Sequence, residues 1–183
     1  MRELSLNILD VAQNSISAGA KLVEIIISEN TKENTLLIEI KDDGCGMDGE
    51  TLRNVQDPFF TTRTTRKVGM GIPLFKMAAE MTGGSFSIES SVGKGTDVRA
   101  LFKTDNVDFT PLGDIDSTVV TLVTMNTQLD FAYTLKVDDG EFTLSTAQLK
   151  EILGDVPLDM PEIVMWIKDY LKEQTQIIRG GVL

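Results

Sequence analysis

Asp10 and Asn14 stand four residues apart in a segment that reads as helix, so their side chains stack on one face, with Asn7 one turn earlier on nearly the same line. Asparagine is a poor helix former, so its place in mid-helix asks for a reason: a target shared by these polar groups, or a solvated helix face. Further on, Asp42-Asp43-Gly44-Cys45-Gly46 follows an apolar, strand-like run. Alternating glycines let the backbone approach a planar or phosphorylated ligand while a carboxylate at the strand end accepts hydrogen bonds. The same residues also make an ordinary turn. Gly69-Met70-Gly71 opens another helix, where free N–H groups and the helix dipole favour phosphate. Arg63, Arg66, Lys67 and Lys76 form a cationic island with no carboxylate between Asp57 and Glu80 in an otherwise acidic chain. An anionic ligand or a solvated basic loop would each account for it.

The 183 residues contain no histidine and a single cysteine, Cys45. Ser-His-Asp and Cys-His catalysis in cis, histidine-liganded metal sites, cysteine zinc sites and a self-phosphorylated histidine are thereby excluded, and with the last a complete histidine kinase. Apolar residues make up 42% and charged residues 25%, as in soluble globular proteins, and no apolar run approaches the roughly 18 residues that span a bilayer. Met1-Arg2-Glu3-Leu4 carries no signal-peptide pattern, so a reducing cytoplasm is the expected compartment and no membrane association is expected. The net charge of -11 is unevenly placed: residues 1–104 hold 12 Lys/Arg and 14 Asp/Glu, a net of -2, and residues 105–183 hold 5 and 14, a net of -9. The second half would repel a phosphate backbone, so nucleic acid is not an expected partner; it would suit a basic protein partner, although an acidic surface that only aids solubility is the first reading of such a charge.

Helical spacing of Leu4, Ile8, Val11, Ala12, Ser15 and Ile16 predicts a helix over Arg2–Ala18, stopped by Gly19. Leu22–Ser28 and Leu36–Lys41 read as neighbouring strands. A short helix over Gly49–Val55, a lid-like stretch dense in Thr, Arg and Gly from Gln56 to Gly71, and a helix over Ile72–Met81 follow. Strands near Ser85–Ser90 and Thr96–Lys103 close this half, with Gly93-Lys94-Gly95 turning between them. Pro111 and Gly113 mark a boundary around Thr104–Asp116. Beyond it the pattern predicts strands at Thr118–Met125 and Phe131–Val137, a turn at Asp138-Asp139-Gly140, a helix after Ser145 with Gln148 completing a capping box, and a helix from about Asp159 with Pro161 in its first turn. In that last helix Trp166 and the neighbouring Ile163, Val164, Ile167, Tyr170 and Leu171 read as a core stripe.

Joined in order, these segments resemble the ATP-binding fold shared by DNA gyrase, the large heat-shock chaperones, histidine kinases and MutL, the GHKL or Bergerat fold. Asp10-Val11-Ala12-Gln13-Asn14-Ser15-Ile16-Ser17-Ala18-Gly19-Ala20 is similar to the N box in its MutL form, and Asp42-Asp43-Gly44-Cys45-Gly46-Met47 to the first glycine box. Asp57-Pro58-Phe59-Phe60-Thr61-Thr62-Arg63 and then Gly69-Met70-Gly71-Ile72-Pro73-Leu74 resemble the short lid and second glycine box of histidine kinases, and Gly83-Gly84 and Gly93-Lys94-Gly95-Thr96 match later positions. The resemblance covers roughly residues 1–104 and implies an α+β fold, a two-layer α/β sandwich. Residues 105–183 would form a small acidic α/β extension.

The resemblance also implies roles. Asn14 would hold the Mg2+ that bridges the phosphates of ATP, and Asp42 would accept the adenine amino group, with Gly44 and Gly46 letting the base approach. Lid positions Phe59, Thr61, Thr62, Arg63, Arg66, Lys67, Gly69, Met70 and Gly71 would close over the phosphates, while Met47 and Thr96 would complete the nucleotide contacts. Asp10 stands where ATP-hydrolysing members carry a glutamate base, one methylene shorter. Ser17 replaces an aspartate common in the MutL form, and Pro73 falls in a first helical turn, where its missing N–H costs little. Cys45 is read as structural. The implied function is Mg-ATP-dependent phosphorylation of a separate protein, on serine as in anti-sigma kinases or on a histidine in trans, with the acidic extension docking the partner. The alternatives are an ATP-gated binding switch with little turnover or a slow ATPase, and the chain could act as a homodimer.

Overall fold

A computed structural model describes residues 3–59 and 70–180. Helix α1 runs Leu4–Ser17, because Leu4, Ile8, Val11, Ala12 and Ser15 fall on one buried stripe. Its first N–H groups, which no helix can satisfy internally, donate to the carbonyls of Pro111 (2.9 Å) and Leu112 (2.8 Å).

Strands β1 (Leu22–Asn30) and β2 (Thr35–Asp42) pair antiparallel, with Ile25 opposite Ile40 and Ile27 opposite Ile38. Helix α2 (Gly49–Asn54) starts at Asp48, whose side chain accepts the Thr51 N–H at 2.8 Å. Helix α3 (Gly71–Met81) leads into β3 (Ser85–Ser91) and β4 (Gly95–Lys103). All of these lie where the periodicity put them, within a residue or two.

Thr118–Met125, expected as a strand, is instead part of helix α4 (Ile115–Met125). Six of the eight residues expected as strand are threonine or valine, which favour strands, but Ile115, Thr118, Val119, Leu122 and Val123 are buried at i, i+3, i+4, i+7 and i+8. The Asp114 side chain accepts the Ser117 N–H at 3.0 Å and caps it. Tertiary burial of one face outweighs the propensity. After β5 (Asp130–Val137) comes β6 (Gly140–Ser145), a strand that the sequence pattern does not predict: only Phe142 and Leu144 alternate inward, too short a pattern to stand out. Helix α5 (Thr146–Leu153) is capped by Ser145, and α6 (Pro161–Ile178) carries its proline at the start, both as expected.

The sheet order is β3-β4-β2-β1-β5-β6, with β5 parallel to β1 and the other pairs antiparallel. Strands alternate faces, so Val23, Ile25, Ile27, Ile38, Ile40, Val98, Phe102, Tyr133 and Leu135 all point to one side and are covered by the helices. The other side carries polar pairs such as Arg99–Glu39 at 3.0 Å and Lys136–Glu141 at 3.1 Å. The result is a two-layer α+β sandwich. Residues after Thr104 extend the same sheet: β5 pairs with β1 from Leu22 to Glu29, α4 packs on α1, and α6 packs on α4. The expected core stripe of α6 is split. Ile167 and Leu171 are fully buried, whereas Trp166 is 49% exposed.

Candidate functional site

The α1 stripe, the end of β2 and the start of β4 enclose a cleft of about 360 Å³, lined by Val11, Asn14, Asp42, Met47, Ile72, Thr96 and their neighbours. Its walls are largely apolar and its polar groups converge, the pattern of a small-molecule site.

Asp42 is fixed from two directions. Its Oδ2 accepts the Ser15 hydroxyl at 2.6 Å and its Oδ1 accepts the Gly44 N–H at 2.9 Å. One side chain therefore joins α1, β2 and the glycine-rich loop, and its remaining lone pairs stay available as acceptors. Asp43 does different work: its Oδ1 accepts the N–H groups of Lys21 (2.7 Å) and Leu22 (2.9 Å). The Leu22 N–H in particular holds that carboxyl below its ordinary value. Thus one aspartate is aimed into the cleft and its neighbour anchors the loop to β1.

Gly46 has φ +67, and a side chain there would collide with the Ser91 carbonyl. The loop needs this glycine for its own packing against β3, whatever the ligand. Ser90 ties the floor together: its hydroxyl accepts the Met47 N–H at 2.9 Å and donates to the Gly95 carbonyl at 2.9 Å. The Thr96 hydroxyl, 2.9 Å from it, is then the donor of that pair, which leaves Thr96 Oγ1 with acceptor capacity at the cleft, directly across the ladder from Asp42. Cys45 is exposed at the rim.

The polar line read along α1 divides three ways. Asn14 is half-buried and lines the cleft, Asp10 is exposed one turn earlier, and Asn7 is 3% exposed. Asp10 is not in the cleft lining; it lies against the start of α3, where a side chain at Gly71 would sit 2.9 Å from the Asp10 Cβ. Of the other positions singled out, Gly46, Met47 and Thr96 line the cleft, and Gly44 borders it through its bond to Asp42. Phe59 is 90% and Met70 55% exposed, outside the cleft lining. Thr61, Thr62, Arg63, Arg66, Lys67 and Gly69 lie outside the described residues, as does most of the expected lid. Ser15 and Ser90 have structural roles here that spacing alone did not reveal, since each acts on a partner far away in the chain. Among the described residues no cluster of three or more Cys, Asp or Glu is placed to hold a metal.

Residues 1–106 match the family described as histidine kinase-, DNA gyrase B- and HSP90-like ATPase. The chain belongs to this family, and its first half is a histidine-kinase-like ATPase domain. It is 33% identical over 103 residues to a putative sensor protein of Shewanella frigidimarina, covering 56% of this chain and 15% of that one. It is 38% identical over 101 residues to the sensor protein SrrB of Staphylococcus aureus, covering 52% of this chain and 17% of the relative. The chain thus spans less than a fifth of the length of these curated relatives. The crystal structure of the N-terminal domain of a DNA repair protein superposes with a TM-score of 0.55 at 16% identity, over 79% of this chain and 53% of that one, which shows the fold.

Proposed function

We propose that this protein binds Mg-ATP in the cleft and transfers phosphate to a separate regulatory protein, on serine or on a histidine supplied in trans. The observation that carries the reading is the Asp42 carboxylate, held by Ser15 and Gly44 at the cleft with Thr96 across the ladder as a second acceptor. Two fixed acceptors side by side suit the two hydrogens of an exocyclic amino group, as adenine carries, and the apolar walls suit its ring.

Asn14 lines the same cleft from α1, and its amide oxygen fits a hard cation that takes most of its other ligands from phosphate and water. The absence of a carboxylate cluster among the described residues agrees with such a single-oxygen role. Bound there, magnesium supplies charge neutralisation on the phosphates. Asp10, exposed one turn along α1, would receive the proton of an acceptor hydroxyl as it attacks. Arg63, Arg66 and Lys67 would add positive charge over the phosphates.

A second reading, an ATP-gated switch with little turnover, draws support from the position of Asp10 outside the cleft lining and from its short stem. Substitution Asp10→Asn separates the two. Incubated with magnesium, γ-labelled ATP and lysate from the source cells, the wild type is expected to label a protein band. The variant should bind ATP with unchanged affinity and lose about 100-fold or more in labelling. An acid-stable band indicates serine and an acid-labile one histidine. Binding without label or released phosphate would establish the switch; phosphate release without a band would establish a slow ATPase. We also place the protein in the cytoplasm; no described helix is long and apolar enough to cross a membrane.

A further inference from the structure

Strand β6 ends the sheet, and among the described residues no strand pairs with its outer edge. Such an edge presents a row of N–H and C=O groups to any extended chain. β6 has no proline, no lysine and no break in its register with β5 from Gly140 to Ser145, and Glu141 is its one charged residue, so its edge stays regular and open to pairing.

Helix α6 lies over β5 and β6, and its two flanks differ. One flank faces α4 and β1: Thr175 donates to Asp116 at 3.0 Å and Arg179 pairs with Glu29 at 2.7 Å. At 100° per residue, Trp166, Tyr170 and Ile177 fall on the opposite flank, above the open side of β6. Trp166 and Tyr170 stack with ring centres 5.2 Å apart and planes 10° apart, and Trp166 and Ile177 are 49% and 51% exposed. The same spacing puts Glu162, Asp169 and Glu173 in a row just outside this stripe. From Trp166 to Ile177 the helix rises about 16 Å, close to the roughly 17 Å length of β6. Gly140 meets Ile178, which fixes the C-terminal end of the helix beside the start of the strand.

We propose that this edge and stripe form a docking groove for an extended, basic peptide segment of a partner protein, which adds to β6 as a seventh strand. Its main chain would bond to the β6 edge while alternate side chains lie on Trp166, Tyr170 and Ile177. Arginine or lysine at those positions suits both the stacked ring faces and the row Glu162, Asp169 and Glu173. Charge selects this occupant over a second copy of the chain, since residues 105–183 carry -9 and would repel themselves. The groove lies outside the nucleotide cleft, so the proposal stands or falls independently of phosphate transfer.

The test uses the full chain and a labelled, end-blocked peptide Arg-Val-Arg-Thr-Arg-Val-Arg, read by anisotropy and by the fluorescence of the single tryptophan. Binding in the micromolar range is expected, with about tenfold loss for Trp166→Ala and for Glu162→Lys with Glu173→Lys, both folded by circular dichroism. N-methylation along one edge of the peptide should abolish binding, and along the other edge should leave it intact. Absence of binding at millimolar peptide, equal binding of both methylated forms, or indifference to the variants would overturn the proposal. So would a dimer in sedimentation that Trp166→Ala dissolves, because a second copy would then hold the edge.

Discussion

Strands β1 to β4 and strands β5 and β6 share one sheet and one helical layer, yet the two groups differ in charge and in the surface they expose. The first group, with α1 to α3, is close to electrically balanced and contains every described residue that lines the cleft. The second, with α4 to α6, carries a net of -9, lies almost entirely beyond the matched residues 1–106, and leaves aromatic and aliphatic groups on its outer flank. Charge and surface therefore change across the β1–β5 ladder while backbone pairing continues through it.

The strongest way to break this comparison is to cut the chain after Thr104. Its product would lose the β5 partner of β1 and the α4 packing on α1, and it is expected to show no cooperative unfolding transition and to bind a hydrophobic dye. A truncated protein that melts cooperatively and binds ATP normally would make the halves separable units. Smaller, and confined to the first half, is Asp42→Asn. Loss of a charged acceptor should weaken ATP binding about 10- to 100-fold by calorimetry while leaving affinity for the basic peptide unchanged.

The smallest expected effect lies at the seam. Burial raises the Asp116 carboxyl above its ordinary value, partly opposed by the Thr175 hydroxyl bond. A raised acid pKa means that the fold prefers the protonated form, so the charged form is a cost above that pKa, and the cost disappears as pH falls below 3.8. Asp116→Asn keeps the hydrogen bond and removes the charge. It should raise Tm by about 1–2 °C at pH 7, with the gain gone near pH 3 in a melting series.

Most of the first half was legible because its signals are local and agree. The runs Leu22–Ser28 and Leu36–Lys41, rich in valine, isoleucine and leucine and parted by a polar stretch, mark two strands, and within them only Val23, Ile25, Ile27, Leu36, Ile38 and Ile40 prove buried. In the second half the signals conflict: the valines and threonines of α4 favour a strand, and only the packing of that face against α1 and α6 shows why a helix wins. Likewise Trp166 sits beside the buried Ile167 in a periodic stripe, but α6 covers the last two strands of the sheet, and among the described residues no further strand lies beyond β6 to bury its outer flank. In the cleft, Asn14, Asp42 and Thr96 could be picked out from the motifs. The bond from Ser15 to Asp42 could not, because it links residues 27 apart and exists only once the sheet is assembled.

The carbonyls of Pro111 and Leu112 grip the first turn of α1, and Glu3 accepts the Asp114 N–H at 3.2 Å. The grip comes from the second half, whereas Asn14 and Ser15 at the far end of the same helix face the cleft. Those ends are about 15 Å apart along the helix axis. Tilting it by ~5° at the gripped end carries the Asn14 end through about 1 Å, enough to lengthen the Ser15–Asp42 bond past a useful distance. A rigid tilt of α1 would thus act as a lever, with its pivot in one half of the molecule and its tip in the other.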